Sequence, residues 1–201
     1  AEKASKCALL MHTQIIDQNG TDLMAVKQAV APDCNIVFSD RPVDTKVLNF
    51  YYNMCDVTVN IASNEGFGIS WCESLHAGTP IINNVTGGLQ DACRFEDLNN
   101  EWIEFDTEFS TNHAGTYTKH ASWAMPVYPS NRSLQGSPQT PYIFDDRAAP
   151  ADVAIAMYYW YKMSDEKRVK AGMEGHVWVN GNEDNMSSKR MKERFNECMD
   201  E

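Results

Sequence analysis

The chain has 201 residues, of which 43% are hydrophobic and 22% charged, and it carries a formal net charge of -11. That length buries a substantial core, as one domain or one domain with an appendage. The acidic balance excludes a nucleic-acid backbone or an anionic membrane as main partner, since either demands a basic patch.

No apolar run approaches the roughly eighteen residues of a transmembrane helix, and the opening Ala1 to Lys6 leads into no signal-like apolar core. A cytoplasmic location is therefore expected. Cys7, Cys34, Cys55, Cys72, Cys93 and Cys198 are widely spaced without a CxxC pair, which points to reduced thiols, buried where the local pattern is apolar, and not to a disulfide framework or zinc site. The scattered histidines have no second ligand at metal-binding spacing, so no metal is expected.

In chain order, the run Cys7 to His12 reads as a central parallel strand. A turn at Asn19-Gly20 follows, and Thr21 caps a helix over 22–30 with Leu23, Val26 and Val30 on one face; Pro32 stops it. Asn35 to Ser39 is a second strand, and Asp40-Arg41-Pro42 leaves its carboxyl end. A helix spans Thr45 to Met54, with Val47, Leu48, Tyr51 and Tyr52 facing inward. The strand 57–61 enters a polar elbow, a helix over about 69–77 ends at Gly78, and the next strand begins at Pro80, where a missing donor costs little.

The elbow concentrates the unusual residues. In an open parallel sheet, ligands bind beyond the carboxyl ends of the strands, which is where Glu65, Gly66, Phe67 and Gly68 fall. Bare glycine backbone lets main-chain N–H groups approach a phosphate or sugar hydroxyl, and a helix start adds positive dipole. Glu65 and Glu73 place one carboxylate in the elbow and one on the helix behind it. Each accepts from both hydroxyls of a diol, which suits a polyhydroxylated ligand. The competing reading makes both glutamates solvated residues of a helix end.

Residues 94–150 break this pattern. Trp102, Trp123, Tyr128, Tyr142 and Phe144 supply packing groups, so an ordered insertion with short strands is expected, one over 140–144. Helices return over 152–162, with Val153, Met157, Trp160 and Tyr161 at helical spacing, and from a capping Asp165 toward Val179. A loop over 180–184 leads to a terminal helix over about 187–199, whose basic run to Arg194 alternates with acids as a wet face. The expected organisation is a single domain: a core of 1–93 and 151–179, the insertion, and an appendage over 180–201.

Glu65-Gly-Phe-Gly-Ile-Ser-Trp-Cys-Glu73, followed by His76-Ala-Gly-Thr-Pro80 and Thr86-Gly-Gly88, resembles the E-x7-E signature of the carboxyl-terminal domain of retaining GT-B-fold glycosyltransferases. The stretch from Phe50 to Asp56, and that from Ala151 to Trp178, resemble the neighbouring elements of that family in the same order. The resemblance implies an α/β fold, a Rossmann-like parallel sheet with flanking helices, forming the C-terminal half of a GT-B fold and lacking its first βα unit. It implies transfer of a sugar from a nucleotide diphosphate sugar to a hydroxyl acceptor with retention, with no separate cofactor.

By the same resemblance, Glu65 lies against the transferred sugar as the catalytic residue. Gly66, Phe67 and Gly68 touch sugar and diphosphate, and Glu73 binds the ribose. The base rests near Ser39 and Asp40, and Thr86, Gly87 and Gly88 border the donor. The family's diphosphate-binding Arg and Lys belong to the first βα unit, upstream of these residues, and Arg41 matches no motif arginine. An upstream amino-terminal domain or a partner chain is thus implied. Two alternatives stay open: a nucleotide-sugar-binding half without turnover of its own, and a glycosidase, which also pairs carboxylates but across one scissile bond.

Overall fold

The computed structural model describes residues 4–18, 20–104, 106–136, 138–181 and 186–200. It divides into two units, Ala1–Leu48 and Asn49–Glu201. The expected turn residue Asn19 and most of the 180–184 loop lie outside the described residues.

In the first unit, β1 (Leu9–His12) and β2 (Ile36–Ser39) pair in parallel, Leu9 opposite Ile36 and His12 opposite Ser39. Between them runs α1 (Leu23–Val30), capped by Asp22, whose carboxylate accepts from the amides of Met24 and Ala25. The cap is thus one residue later than Thr21, because a carboxylate on the residue preceding the first turn satisfies two orphan N–H groups at once. The apolar face expected on α1 stays unburied: Val26 is 40% and Val30 76% exposed. Among the described residues β1 pairs only with β2, where its apolar run suggested a central strand.

Helix α2 (Thr45–Met54) carries the boundary between the units. The second unit then builds a parallel sheet in the order β3-β4-β5 from β3 (Thr58–Asn60), β4 (Ile81–Asn84) and β5 (Ala124–Val127). All four residues of β4 are buried. Side chains alternate along a strand, so Ile81 joins Trp71, Leu75, Val85, Leu89 and Trp123 in one core, while Ile82 joins Val127, Val153, Ala156 and Trp160 in the other. The chain is therefore an α/β protein of parallel sheets flanked by helices, consistent with a Rossmann-like domain.

The helices are α3 (Ile69–His76), the short α4 (Gly88–Asp91), α5 (Pro150–Lys162), α6 (Asp165–Val179) and α7 (Ser188–Asp200). Pro150 opens α5 at a position that has no hydrogen bond to lose. Ser164, not Asp165, occupies the cap position of α6. Met157 and Tyr161 remain 42% and 37% exposed, so the buried seam of α5 is the narrower one through Val153, Ala156 and Trp160. α6 closes on α3 because Gly172 has no side chain: a Cβ there would stand 1.8 Å from the Gly78 carbonyl oxygen.

The insertion is ordered around an antiparallel hairpin, β6 (Asn131–Gln135) with β7 (Ile143–Arg147). The strand thus lies later than 140–144. Trp123 and Tyr128 pack as expected, and Trp123 stacks between Trp102 and Trp178 at centroid distances of 6.2 and 5.2 Å. Tyr142 and Phe144 instead stay 78% and 54% exposed.

Candidate functional site

The elbow grows out of the end of β3. Asn60 there accepts from the Ala62 amide and donates to Ser70 Oγ at 2.9 Å, tying the strand end to the first turn of α3. Gly68 precedes α3 with φ of 83°, a left-handed conformation, and a Cβ on it would stand 2.6 Å from Leu89 Cδ2. Glycine is therefore demanded twice, by conformation and by space.

Between Glu65 and Gly68 every carbonyl is used inward. Gly88 N donates to Gly66 O at 3.0 Å and to Glu65 O at 3.3 Å, Trp71 Nε1 donates to Phe67 O, and Trp71 N donates to Gly68 O. The amides of Gly66, Phe67 and Gly68 have no acceptor among the described residues. Four acceptors consumed and three donors spare give the elbow a net donor character, reinforced by the dipole of α3.

The second glycine pair presses on this turn. A Cβ at Gly87 would fall 2.0 Å from Glu65 O, and one at Gly88 would fall 2.2 Å from Gly66 O. Gly66 itself is open, with nothing within 4 Å of where its Cβ would be. The Gly87-Gly88 amides are spent internally, Gly87 N on Thr111 O at 2.7 Å, so the pair supports the elbow from behind.

The two carboxylates have different surroundings. Glu65 is half-buried, and its carboxylate has no partner among the described residues. Glu73, also half-buried, projects from α3 and accepts at Oε2 from the Tyr52 hydroxyl at 2.9 Å. Burial, then the bond to Glu73 and its charge, raise the Tyr52 phenol pKa, so Tyr52 remains a donor at neutral pH.

Sequence reasoning missed the polar group under the elbow. Asp146 on β7 is 1% exposed; its Oδ1 pairs with Arg132 Nε at 3.1 Å and its Oδ2 accepts from Thr86 Oγ1 at 2.9 Å. Its amide donates to Ser63 O, and its carbonyl accepts from Asn84 Nδ2, which also donates to Ala62 O. Thr86 is thereby buried and committed to Asp146. The one local signal was the polar pair Asn83-Asn84 ending a fully buried strand; nothing in the sequence near Asp146 marks its partner sixty residues away.

Ser39 and Asp40 lie in the first unit, where Ser39 O and Oγ stand 3.1 and 3.0 Å from His12 Nδ1, and Asp40 and Arg41 are exposed. A cavity of about 270 Å³ lies beside β5 and α5, at Met125, Val127 and Ile155, and another of about 410 Å³ between Asp56, Gly78, Arg168 and Met173. Neither includes an elbow residue. Among the described residues no group of His, Cys, Asp and Glu is arranged to hold a metal, and no helix is long and apolar enough to cross a membrane. All six cysteines are free; Cys72 and Cys93 are buried, Cys55 is intermediate, and Cys7, Cys34 and Cys198 are exposed.

No family model matches the chain. Over 75 residues, 37% of its length, it is 33% identical to a D-inositol 3-phosphate glycosyltransferase of Thermomonospora curvata. The matched segment spans 17% of that protein. This partial likeness supports a relationship between the chain and glycosyltransferases.

Proposed function

We propose that the second unit binds a nucleotide diphosphate sugar at the elbow and serves transfer of its sugar to a hydroxyl acceptor, with retention of configuration, as the donor half of a GT-B glycosyltransferase. The observation that carries this is the polarity of the elbow: carbonyls turned inward, three amides without acceptors, and an unpartnered carboxylate beside them. That arrangement suits a ligand with anionic oxygens next to hydroxyls.

In this reading Glu65 accepts from hydroxyls of the transferred sugar, and the amides of Gly66 to Gly68 donate to diphosphate oxygens. Glu73, with Oε2 held by Tyr52, offers Oε1 to the ribose. The bond from the anomeric carbon to the diphosphate breaks with its electron pair leaving on the phosphate oxygen. The acceptor oxygen forms the new bond and yields its proton to the departing diphosphate. Negative charge develops on the leaving group, so donors aimed there contribute most.

A second reading, binding without turnover by this chain alone, is favoured by its match to only 17% of the relative's length. Calorimetry with UDP-, GDP- and ADP-linked sugars, followed by product analysis with and without acceptors, tests both. Binding of none of these would overturn the proposal. Binding without transfer leaves the second reading, and hydrolysis of simple glycosides would favour the glycosidase.

A further inference from the structure

The hairpin of the insertion brings a guanidinium to the elbow. We propose that Arg132 on β6 is the cation that receives the charge of the bound diphosphate, an assignment that rests on the elbow being a nucleotide-sugar site.

Three links place Arg132 around Glu65. Its Nε is on Asp146, which holds Thr86, the residue before Gly87. Its terminal nitrogen Nη2 donates to Thr111 Oγ1, and the Thr111 carbonyl accepts the Gly87 amide. Its Cζ lies 5.2 Å from the centroid of the Phe144 ring, and the Phe144 carbonyl accepts from Asn64 Nδ2. Asn64 precedes Glu65, and Gly87 packs on the Glu65 carbonyl, so both sides of the guanidinium are anchored to the two neighbours of that carboxylate.

The anchoring does not exhaust the group. A guanidinium has five N–H donors in a fixed fork; one donates to Thr111, and the group forms an ion pair with Asp146, with Nε 3.1 Å from Oδ1. The Arg132 side chain is 42% exposed, while that of Asp146 is 1% exposed, with Oδ2 hydrogen-bonded to Thr86 and Oδ1 ion-paired with Arg132. The ion pair with Asp146 and the hydrogen bond to Thr111 together therefore place the fork, and its remaining N–H groups have no acceptor among the described residues. A pre-oriented fork matches phosphate oxygens better than a mobile amine does. The chain is strongly acidic, with Glu65 and Glu73 in the elbow itself, so a trianionic leaving group needs a fixed positive charge at that edge.

Removing Arg132 alone would leave Asp146 as a buried orphan charge, so the test uses a neutralised background. UDP, GDP and ADP, each with its parent nucleoside, are titrated calorimetrically into the unmodified chain, Asp146→Asn and the double variant Arg132→Gln with Asp146→Asn. The expected result is diphosphate binding by Asp146→Asn that weakens about tenfold or more in the double variant, with nucleoside affinity unchanged, the loss of one charge-assisted contact. Equal diphosphate affinity in the two variants, or equal losses for diphosphate and nucleoside, would overturn the assignment and leave the elbow reading standing. Failure of the unmodified chain to bind any diphosphate or sugar nucleotide would overturn both. If the double variant melts below the assay temperature, Arg132→Lys decides. It keeps a charge for Asp146 without the fork, so diphosphate-selective weakening supports the assignment and unchanged affinity refutes it.

Discussion

The Tyr52 hydroxyl donates to Glu73 Oε2 at 2.9 Å, joining the last turn of α2 to the middle of α3. Thr79 Oγ1 donates to the Tyr52 carbonyl at 2.8 Å, so the same residue is held from the start of β4. One carboxylate oxygen of Glu73 is thereby fixed, and the other keeps a defined direction. Tyr52→Phe should therefore weaken nucleoside diphosphate and sugar-nucleotide binding alike, by about tenfold, at the low end for a hydrogen bond to a charged group. Calorimetry on the folded variant measures this, and unchanged affinity would detach Tyr52 from the site.

Glu65 and Glu73 should separate by ligand. Glu73→Ala is expected to reduce affinity for the bare nucleotide and the sugar nucleotide by similar factors. Glu65→Ala should reduce affinity for the sugar nucleotide alone, by about tenfold or more. Parallel titrations of UDP and a UDP-sugar, or the corresponding pair for the preferred base, report the difference; equal losses in both variants contradict the two roles.

Gly66 and Gly88 should separate by stability. A methyl group at Gly66 meets nothing within 4 Å, so Gly66→Ala should melt normally yet hinder a ligand lying on that backbone. Gly88→Ala would put its Cβ 2.2 Å from the Gly66 carbonyl oxygen, a backbone atom with little room to yield. That variant is expected to lose about 2 kcal/mol or more of stability. Thermal melting of the two variants, with sugar-nucleotide titration of Gly66→Ala, checks both statements.

His113 predicts a pH effect. Its ring is buried, edge-on to Phe95 at 4.3 Å; Nδ1 accepts from the Tyr117 amide at 3.4 Å, and Nε2 is buried without a partner. Burial lowers its pKa, an effect only partly opposed by a backbone hydrogen bond. The unfolded chain then takes up the proton first, so stability is full above the ordinary histidine pKa of about 6.5 and falls as the pH drops through the lower folded value. Burial and the nearby His176 shift His76 the same way. His113→Asn should lower the melting temperature at pH 7.5 but flatten its decline below about pH 6.5. A decline as steep as in the unmodified chain would exclude His113 as a contributor.

Much of the elbow was legible in the sequence because its determinants are local. Gly68 and Gly78 adopt the positive φ that only a residue without Cβ takes up freely, and the period of the apolar residues separates strand from helix without outside help. The eight-residue offset of Glu65 and Glu73 already placed one carboxylate in a turn and the other on the helix after it. The α1 cap and the bounds of β7 fall later than their local sequence suggests, since neighbouring residues offer equally good local chemistry.

The tertiary structure decided what the Glu73 carboxylate touches. Tyr52 read only as an inward aromatic, and its hydroxyl gains a role from where α2 meets α3. Asp146, Arg132 and Thr86 are scattered along the chain, and only the docking of hairpin β6-β7 beneath the elbow makes them one group. The division of the parallel strands into two sheets and the exposed face of α1 are likewise matters of packing. Turns and helix starts are specified by a few adjacent residues, whereas a buried charge finds its partner through the fold as a whole.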